Sequence, residues 1–437
     1  MIMQDDKFIK RTFFIVFFFS IFCAFNFFPF ISAEVQPVIG GGIIAFGLCQ
    51  ILLSLKLSYI SSGIIIFLLF LVPSFITGVL VSSSNGIVLF LYLIGPAVFC
   101  YFYKYFIFLK RKHLVTILAI FFIVSIIQAI SPDAINNVVN PIFEKIVKRG
   151  RLGFYGGGRG VSVLYSEPAH AAKYIFLLSV LLIAMRISPQ IFLDKKMQCK
   201  KSFLVFMIVV CIILNKSASL YVTYLMLACF FVFFYFIKVS VNRWLSFVFF
   251  IPVLALILYV CILFEVYKFL PERLLDIINS YFKVRGSFTL NDLQYFGSIR
   301  LISVIAGYAG AFIEPLGAGI GNGGNEIFQI MDKIGFNTNA ISFLTSQDVE
   351  YLKPNAYGAQ ISLDAGILGL VIVIIFTVCV FLKIDTTTKT QCFFSSLLAL
   401  SIFQILFFST TTITAPWMTL ALSLFALKRL KNECDYT

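Results

Sequence analysis

The residues best suited to chemistry gather in one polar stretch, Arg149 to His170, inside an otherwise apolar chain. Arg149, Arg151 and Arg159 surround Gly156-Gly157-Gly158, and Ser166-Glu167-Pro168-Ala169-His170 follows. A guanidinium is a planar fork that grips phosphate through two N–H groups. Successive glycines let backbone N–H groups turn inward as a nest for an anion. Arg149, Arg151, Arg159, Gly157 and Gly158 therefore suit a diphosphate held at a membrane surface, and equally a basic loop resting on anionic lipid heads. Proline is favoured at the start of a helix, with the residue before it as cap. Ser166 or Glu167 thus caps a helix opening at Pro168, where the helix dipole favours a carboxylate. A carboxylate fixed there, beside cationic side chains, is also placed as a general base, with His170 the second candidate. At this point Glu167 reads as a cap or as a base.

A second polar stretch contains Gly297-Ser298-Ile299-Arg300 and then Glu314-Pro315-Leu316-Gly317-Ala318-Gly319-Ile320-Gly321-Asn322-Gly323. Arg300 lies in a mostly apolar segment and needs a partner, because an unpaired buried charge is costly. The glycines resemble a nucleotide-binding loop only superficially, since no strand precedes them and no βαβ unit surrounds them. They read as a close backbone approach to a ligand or to another helix. Asp348-Val349-Glu350 is a lone acidic pair of the kind that is usually solvated. With two histidines in the chain, a His-based metal site is not expected. Cys199 and Cys434 lie in basic flanks and the other cysteines in apolar spans, so neither a disulfide framework nor a zinc spacing emerges. Neither metal nor cofactor is expected.

The elements that must position these groups follow from composition. Only 12% of the chain is charged and its mean hydropathy is +0.99, whereas soluble domains carry about 25% charged residues. The expected fold is an all-α polytopic membrane protein, residues 1–437 forming a single integral membrane domain. The net charge of +14 does not imply nucleic acid, because much of the excess Lys and Arg sits in short loops and tails, where it sets topology. Twelve transmembrane helices are expected, near 12–32, 38–55, 61–81, 86–109, 114–131, 170–187, 202–214, 218–237, 245–264, 360–382, 393–410 and 414–427. The run from Thr12 to Ser32 is longer than a typical signal-peptide core and reads as a retained first span. The short seventh span is expected to pair with the eighth as a hairpin through Asn215-Lys216-Ser217-Ala218-Ser219.

Lys7, Lys10, Arg11, Lys56, Lys110-Arg111-Lys112, Lys195-Lys196, Lys238, Lys383 and Lys428-Arg429 all fall on one side of this arrangement, while the opposite short loops 32–37, 82–86 and 410–415 lack Lys and Arg. Lys216 is the exception. Both termini are therefore expected in the cytoplasm. Two long loops, 131–169 and 265–359, are expected on the periplasmic face, with pieces such as Ala134–Val147 and Ile299–Ile313 lying as amphipathic helices on the membrane surface. Ionisable residues within spans, including Asp364, fall within a turn or two of an end, which argues against an ion-driven pump.

Three features together resemble the bacterial O-antigen polymerases, with the related O-antigen ligases one step away. They are Arg159 through Ser166-Glu167-Pro168 entering a span, Arg300 followed by Pro315 to Gly321, and Asn355-Ala356-Tyr357 leading to Asp364-Ala365-Gly366-Ile367-Leu368-Gly369. With the hydropathy and the two long loops, the likeness covers nearly the whole chain. It departs at Lys353-Pro354-Asn355, where the ligases carry a histidine before the asparagine.

The resemblance implies glycosyl transfer at the periplasmic face of the bacterial inner membrane. A growing glycan on undecaprenyl diphosphate would move onto a fresh lipid-linked repeat unit. The implied partners are this lipid-linked oligosaccharide, membrane lipids and a chain-length regulator. Arg159 and Arg300, with Arg151, would stabilise the departing diphosphate, and Glu167 or His170 would take the proton of the acceptor hydroxyl. Arg149, Arg151, Gly157, Gly158, Gly317, Gly319, Gly321, Asn355 and Tyr357 are the expected substrate contacts, and Tyr165 is expected to stack on sugar rings. The alternatives are a ligase transferring glycan to a lipid A core, a polysaccharide flippase, which would need a polar lumen and short external loops, and a lipid-binding scaffold.

Overall fold

A computed structural model describes residues 2–23, 41–42, 85–130, 160–163, 165, 168–192, 201–239, 298–336 and 353–434. Among these residues all regular structure is helical. The helices are α1 (Ile2–Ile21), α2 (Asn85–Tyr105), α3 (Arg111–Ile130), α4 (Pro168–Ile187), α5 (Lys201–Asn215), α6 (Ala218–Val239), α7 (Ser298–Ile313), α8 (Gly323–Lys333), α9 (Tyr357–Phe381), α10 (Lys389–Phe407) and α11 (Ala415–Cys434). Among the described residues, six stretches are by length and composition apolar enough to cross a bilayer: Leu91–Phe108 and helices α3, α4, α6, α9 and α10. The chain is an α-helical membrane protein. α1, α5 and α11 coincide with expected spans but are not among these six. The first half of α1 is polar, α5 has 15 residues, and the last turns of α11 carry Lys428, Arg429 and Lys431. The expected spans 61–81 and 245–264, and all of 38–55 except residues 41–42, lie outside the described residues.

α4 sits at the centre. It touches α3, α5, α6 and α11, and most of its side chains are buried. α10 and α11 pack together, α6 packs on α10, and α2 packs on α11. The α2–α11 approach needs Gly95, since a Cβ there would stand 2.3 Å from the Trp417 indole nitrogen. Phe13 of α1 stacks on Tyr101 and meets Phe102 edge-on. The turn between α5 and α6 is as tight as expected, with Lys216 in the left-handed region at φ 46. The two helices nevertheless do not pair closely with each other, and each packs on α4 instead.

α7 packs on α9. It lies along the first half of α9, with Ser303 beside Asn355, Gly307 against Pro354 and Ala359, and Gly310 against Leu363. A Cβ at Gly307 would come within 2.8 Å of the Ala359 carbonyl oxygen, so the residue type sets the depth of the contact. α8 crosses α7, placing Ile330 at Gly310 and pairing Lys333 with Glu314 at 3.2 Å. Ile302, Ala306, Ile327, Ile330, Met331 and Leu363 form a small core of their own there.

α9 is broken. Gly366 has φ 62 and ψ −144 inside it, a conformation open to glycine and few other residues. The chain turns so sharply that a Cβ on Gly369 would sit 2.4 Å from the Ile361 carbonyl oxygen. Val373 and Phe376 of the second half line one small apolar cleft with Tyr357 and Gly358 of the first half.

Hydrogen bonds draw several chain ends to one end of the bundle. The Ile21 carbonyl accepts from Tyr165, the Ser20 carbonyl from Thr414, and the Pro168 carbonyl from Asn215. At the other end cations lie over rings: Lys10 over Phe108, Lys104 over Tyr105, Lys428 over Tyr103 and Arg429 over Phe425.

Candidate functional site

Two tethered segments stand at the end of the bundle opposite the cations. The first is the root of the Arg149–His170 stretch. Val161 N–H donates to the Leu214 carbonyl, and the Asn215 side chain donates to the carbonyls of Val161 and Pro168 at 2.8 and 3.1 Å. Gly160, at φ 79, lies so close to the Asn215 carbonyl that a Cβ would fall within 1.9 Å of it. Gln128 of α3 takes both the N–H and the C=O of Val163.

Tyr165 is buried. Its ring stacks on Tyr174 with centroids 4.8 Å apart, and its hydroxyl donates to the Ile21 carbonyl at 2.8 Å. Burial first, then the neighbouring Tyr174 and Cys23, push the Tyr165 phenol well above its ordinary range, so it stays a neutral donor. Ring and hydroxyl are both taken up by the protein, which leaves no face of Tyr165 for a sugar. His170 is half-buried in the first turn of α4. One turn further on, Lys173 Nζ donates to the Phe408 carbonyl and Tyr174 bonds to Thr414. Arg149, Arg151, Gly157, Gly158, Arg159 and Glu167 lie outside the described residues.

The second segment is the glycine loop after α7, which closes over the break in α9. Gly317, Gly319 and Gly321 have φ of 80, 84 and 91. Ala318 N–H donates to the Leu363 carbonyl and Gly319 N–H to the Asp364 carbonyl, while Ile367 N–H donates back to Pro315. These bonds supply donors that the Gly366 break takes from the ladder of α9. Gly321 N–H donates to Asp364 Oδ2 at 3.3 Å, and the Tyr92 hydroxyl of α2 donates to the same oxygen at 2.5 Å. A Cβ at Gly317 would stand 2.4 Å from the Asp364 carbonyl oxygen. Of the two approaches the glycines allowed, ligand or helix, the described contacts are with a helix.

Asp364 and Tyr92 were not among the expected site residues. Asp364 is only two turns into α9, yet it is 2% exposed, because α2 and the glycine loop cover it. The signal was an acid two residues before a glycine inside an apolar run, and such an acid needs partners.

Arg300 is exposed in the first turn of α7. The Ser303 hydroxyl donates to the Arg300 carbonyl and accepts from Asn355 N–H at 3.3 Å, so one hydroxyl joins the two backbones. Tyr357 is buried, and its hydroxyl donates to the Tyr92 carbonyl at 3.0 Å. That carbonyl lies four residues before Pro96, which has no N–H to offer it. Tyr357 thus fills the gap that Pro96 leaves in α2.

The turn between α10 and α11 ties these parts together. Leu406 accepts from the Tyr308 hydroxyl of α7, Phe408 from Lys173 of α4, and Ser409 from Tyr357 N–H of α9. Comparison with protein-family models, curated proteins and solved structures finds no match for the chain.

Proposed function

We propose that the chain is a membrane glycosyltransferase of the O-antigen polymerase kind, working without metal at the periplasmic face of the bacterial inner membrane. In this reading, twelve spans hold both termini in the cytoplasm, and the end of the bundle that carries the two tethered segments faces the periplasm. One observation carries the proposal. The three stretches that resemble the polymerases are far apart in sequence, yet the helices α4, α7 and α9, which follow or bear them, donate respectively to the neighbouring carbonyls of Phe408, Leu406 and Ser409. A shared anchor is what a reaction centre assembled from separate stretches requires.

The chemistry follows from the residue types. The acceptor sugar hydroxyl of a lipid-linked repeat unit attacks the anomeric carbon of the growing chain. The bond from that carbon to the diphosphate oxygen breaks, and undecaprenyl diphosphate leaves with the electron pair. Arg159 and Arg300, with Arg151, take up the developing charge. Glu167 accepts the hydroxyl proton, with His170 as the second candidate.

The test is the surface-glycan ladder of cells whose native copy is deleted and replaced by wild type, Arg300→Ala or Glu167→Gln. Polymerase activity predicts single-repeat cores on deletion, a ladder with wild type, and its loss with either variant at equal protein level. Bare cores with polymerised lipid-linked glycan would identify a ligase instead. A ladder unchanged by deletion would sink both.

A further inference from the structure

The root of the first polar stretch is held in a backbone conformation that its own residue disfavours. Val163 has φ 56, and the left-handed region is a genuine outlier for a β-branched side chain. Such outliers persist only where their surroundings over-determine them, and they cluster at functional sites. Here the surroundings are a turn closed by the Tyr165 N–H on the Ser162 carbonyl, and Gln128. Gln128 lies near the end of α3, 4% exposed, in a mostly apolar part of that helix. Its amide uses both ends on one residue: Val163 N–H donates to Oε1 at 2.9 Å, and Nε2 donates to the Val163 carbonyl at 2.5 Å. A buried amide without partners would be costly in this helix, and an aliphatic residue would pack there as well. The two-point grip accounts for its presence.

Its place in the chain gives the grip a consequence. Val163 stands midway between Arg159 and Glu167, and Asn215 fixes the carbonyls of Val161 and Pro168 to either side. We propose that Gln128 is a positioning residue. By holding Val163 in the left-handed region it sets the course of the backbone from Val161 to Tyr165, which in sequence lies between Arg159 and Glu167. This rests on the reading of that stretch as part of the reacting centre. Gln128 touches no substrate and acts only through the backbone of Val163.

Glycine adopts the left-handed region without penalty, so Val163→Gly should remove most of the need for the grip. Glutamate at 128 could accept from Val163 N–H but, when ionised, could not donate to its carbonyl. The experiment compares full-length wild type, Gln128→Leu, Gln128→Glu, Val163→Gly and the double variant Gln128→Leu/Val163→Gly. Each is expressed in cells lacking the native copy, with protein level matched and the glycan ladder as readout. Gln128→Leu and Gln128→Glu should cut polymerised glycan on the order of tenfold or more, as expected when reacting groups are misaimed by about an ångström. Val163→Gly should leave the ladder near wild type, and the double variant should recover most of it.

A hole in the bundle would not be mended by removing the three carbons of the valine side chain, so rescue separates aim from bulk packing. A wild-type ladder from Gln128→Leu, or a double variant no better than the single, overturns the proposal. The melting midpoint of each purified protein in detergent is read alongside. If wild type restores no ladder, the polymerase reading fails while the grip is still tested. The double variant must then melt above Gln128→Leu, and one that does not overturns the proposal.

Discussion

The two tethered segments are fastened by opposite means. The root of the first stretch is held by side chains that reach into its backbone, Gln128 onto Val163 and Asn215 onto Val161 and Pro168. The glycine loop is held largely backbone to backbone, Ala318 and Gly319 onto α9 and Ile367 back onto Pro315, with one carboxylate, Asp364, added. Side chains can be cut away, whereas backbone bonds survive truncation and yield only to added bulk. The first segment should therefore break by deletion and the second by addition.

The largest effect is expected from adding one methyl group. In Gly366→Ala a Cβ would stand 2.2 Å from the Pro315 carbonyl oxygen, at a φ of 62. Nothing flexible is there to yield, and a loss on the order of 4 kcal/mol, read as little folded protein or a collapsed melting midpoint, is the expected outcome. Normal yield and midpoint would mean that the loop is not seated on the α9 break. Next comes a deletion. Asn215→Ala removes both bonds that tie the Val161 and Pro168 carbonyls to the end of α5 and should cost about 2 kcal/mol in denaturation of the purified protein. If it costs less than the following change, the contrast between the segments is wrong.

That change is Tyr92→Phe, which removes one donor from Asp364 but leaves Gly321 N–H and every backbone bond of the loop. About 1 kcal/mol is expected, in the range of hydrogen bonds between membrane helices. The smallest effect belongs to Lys333→Ala. Its pairing with Glu314 joins side chains that are 51% and 42% exposed, and such pairs contribute about 0.5 kcal/mol or less. A loss above 1 kcal/mol that persists in high salt would give α8 a larger part in holding the loop than the backbone bonds imply.

The same contrast sets what was legible in the sequence. Glycines at 317, 319 and 321 announce a backbone approach, because alternate glycines serve no helix. Pro168 announced the start of α4, and the apolar runs announced helices of membrane length. Gln128 carried a signal of its own, since an amide in an apolar run must find a partner, whereas Asn215 stands in a polar turn and carried none. Asp364 was counted from the end of its span, a distance that lost its meaning once Gly366 folded one half of α9 back on the other. Tyr165 and Tyr357 stand near span ends, where the sequence suggests ligand-facing rings. A tyrosine near a span end serves a core as well as a surface, and here one ring stacks on Tyr174 while the other hydroxyl mends α2. Which carbonyl a hydroxyl will reach hundreds of residues away is a property of the packed bundle, invisible to local pattern.

That last bond also bears on time. α2 and α9 exchange hydroxyls: Tyr92 gives its own to Asp364 and receives that of Tyr357 on its carbonyl. The two tyrosines are 265 residues apart. At synthesis rates of about 5–20 residues per second, α2 is made roughly 13–53 s before its partner. Through that interval the carbonyl that Pro96 cannot serve has neither Tyr357 nor α9 to turn to. A nascent helix with such a gap is a natural client for whatever shelters polar groups during membrane insertion. A chain truncated before Tyr357 should depend on that shelter more than the finished protein does.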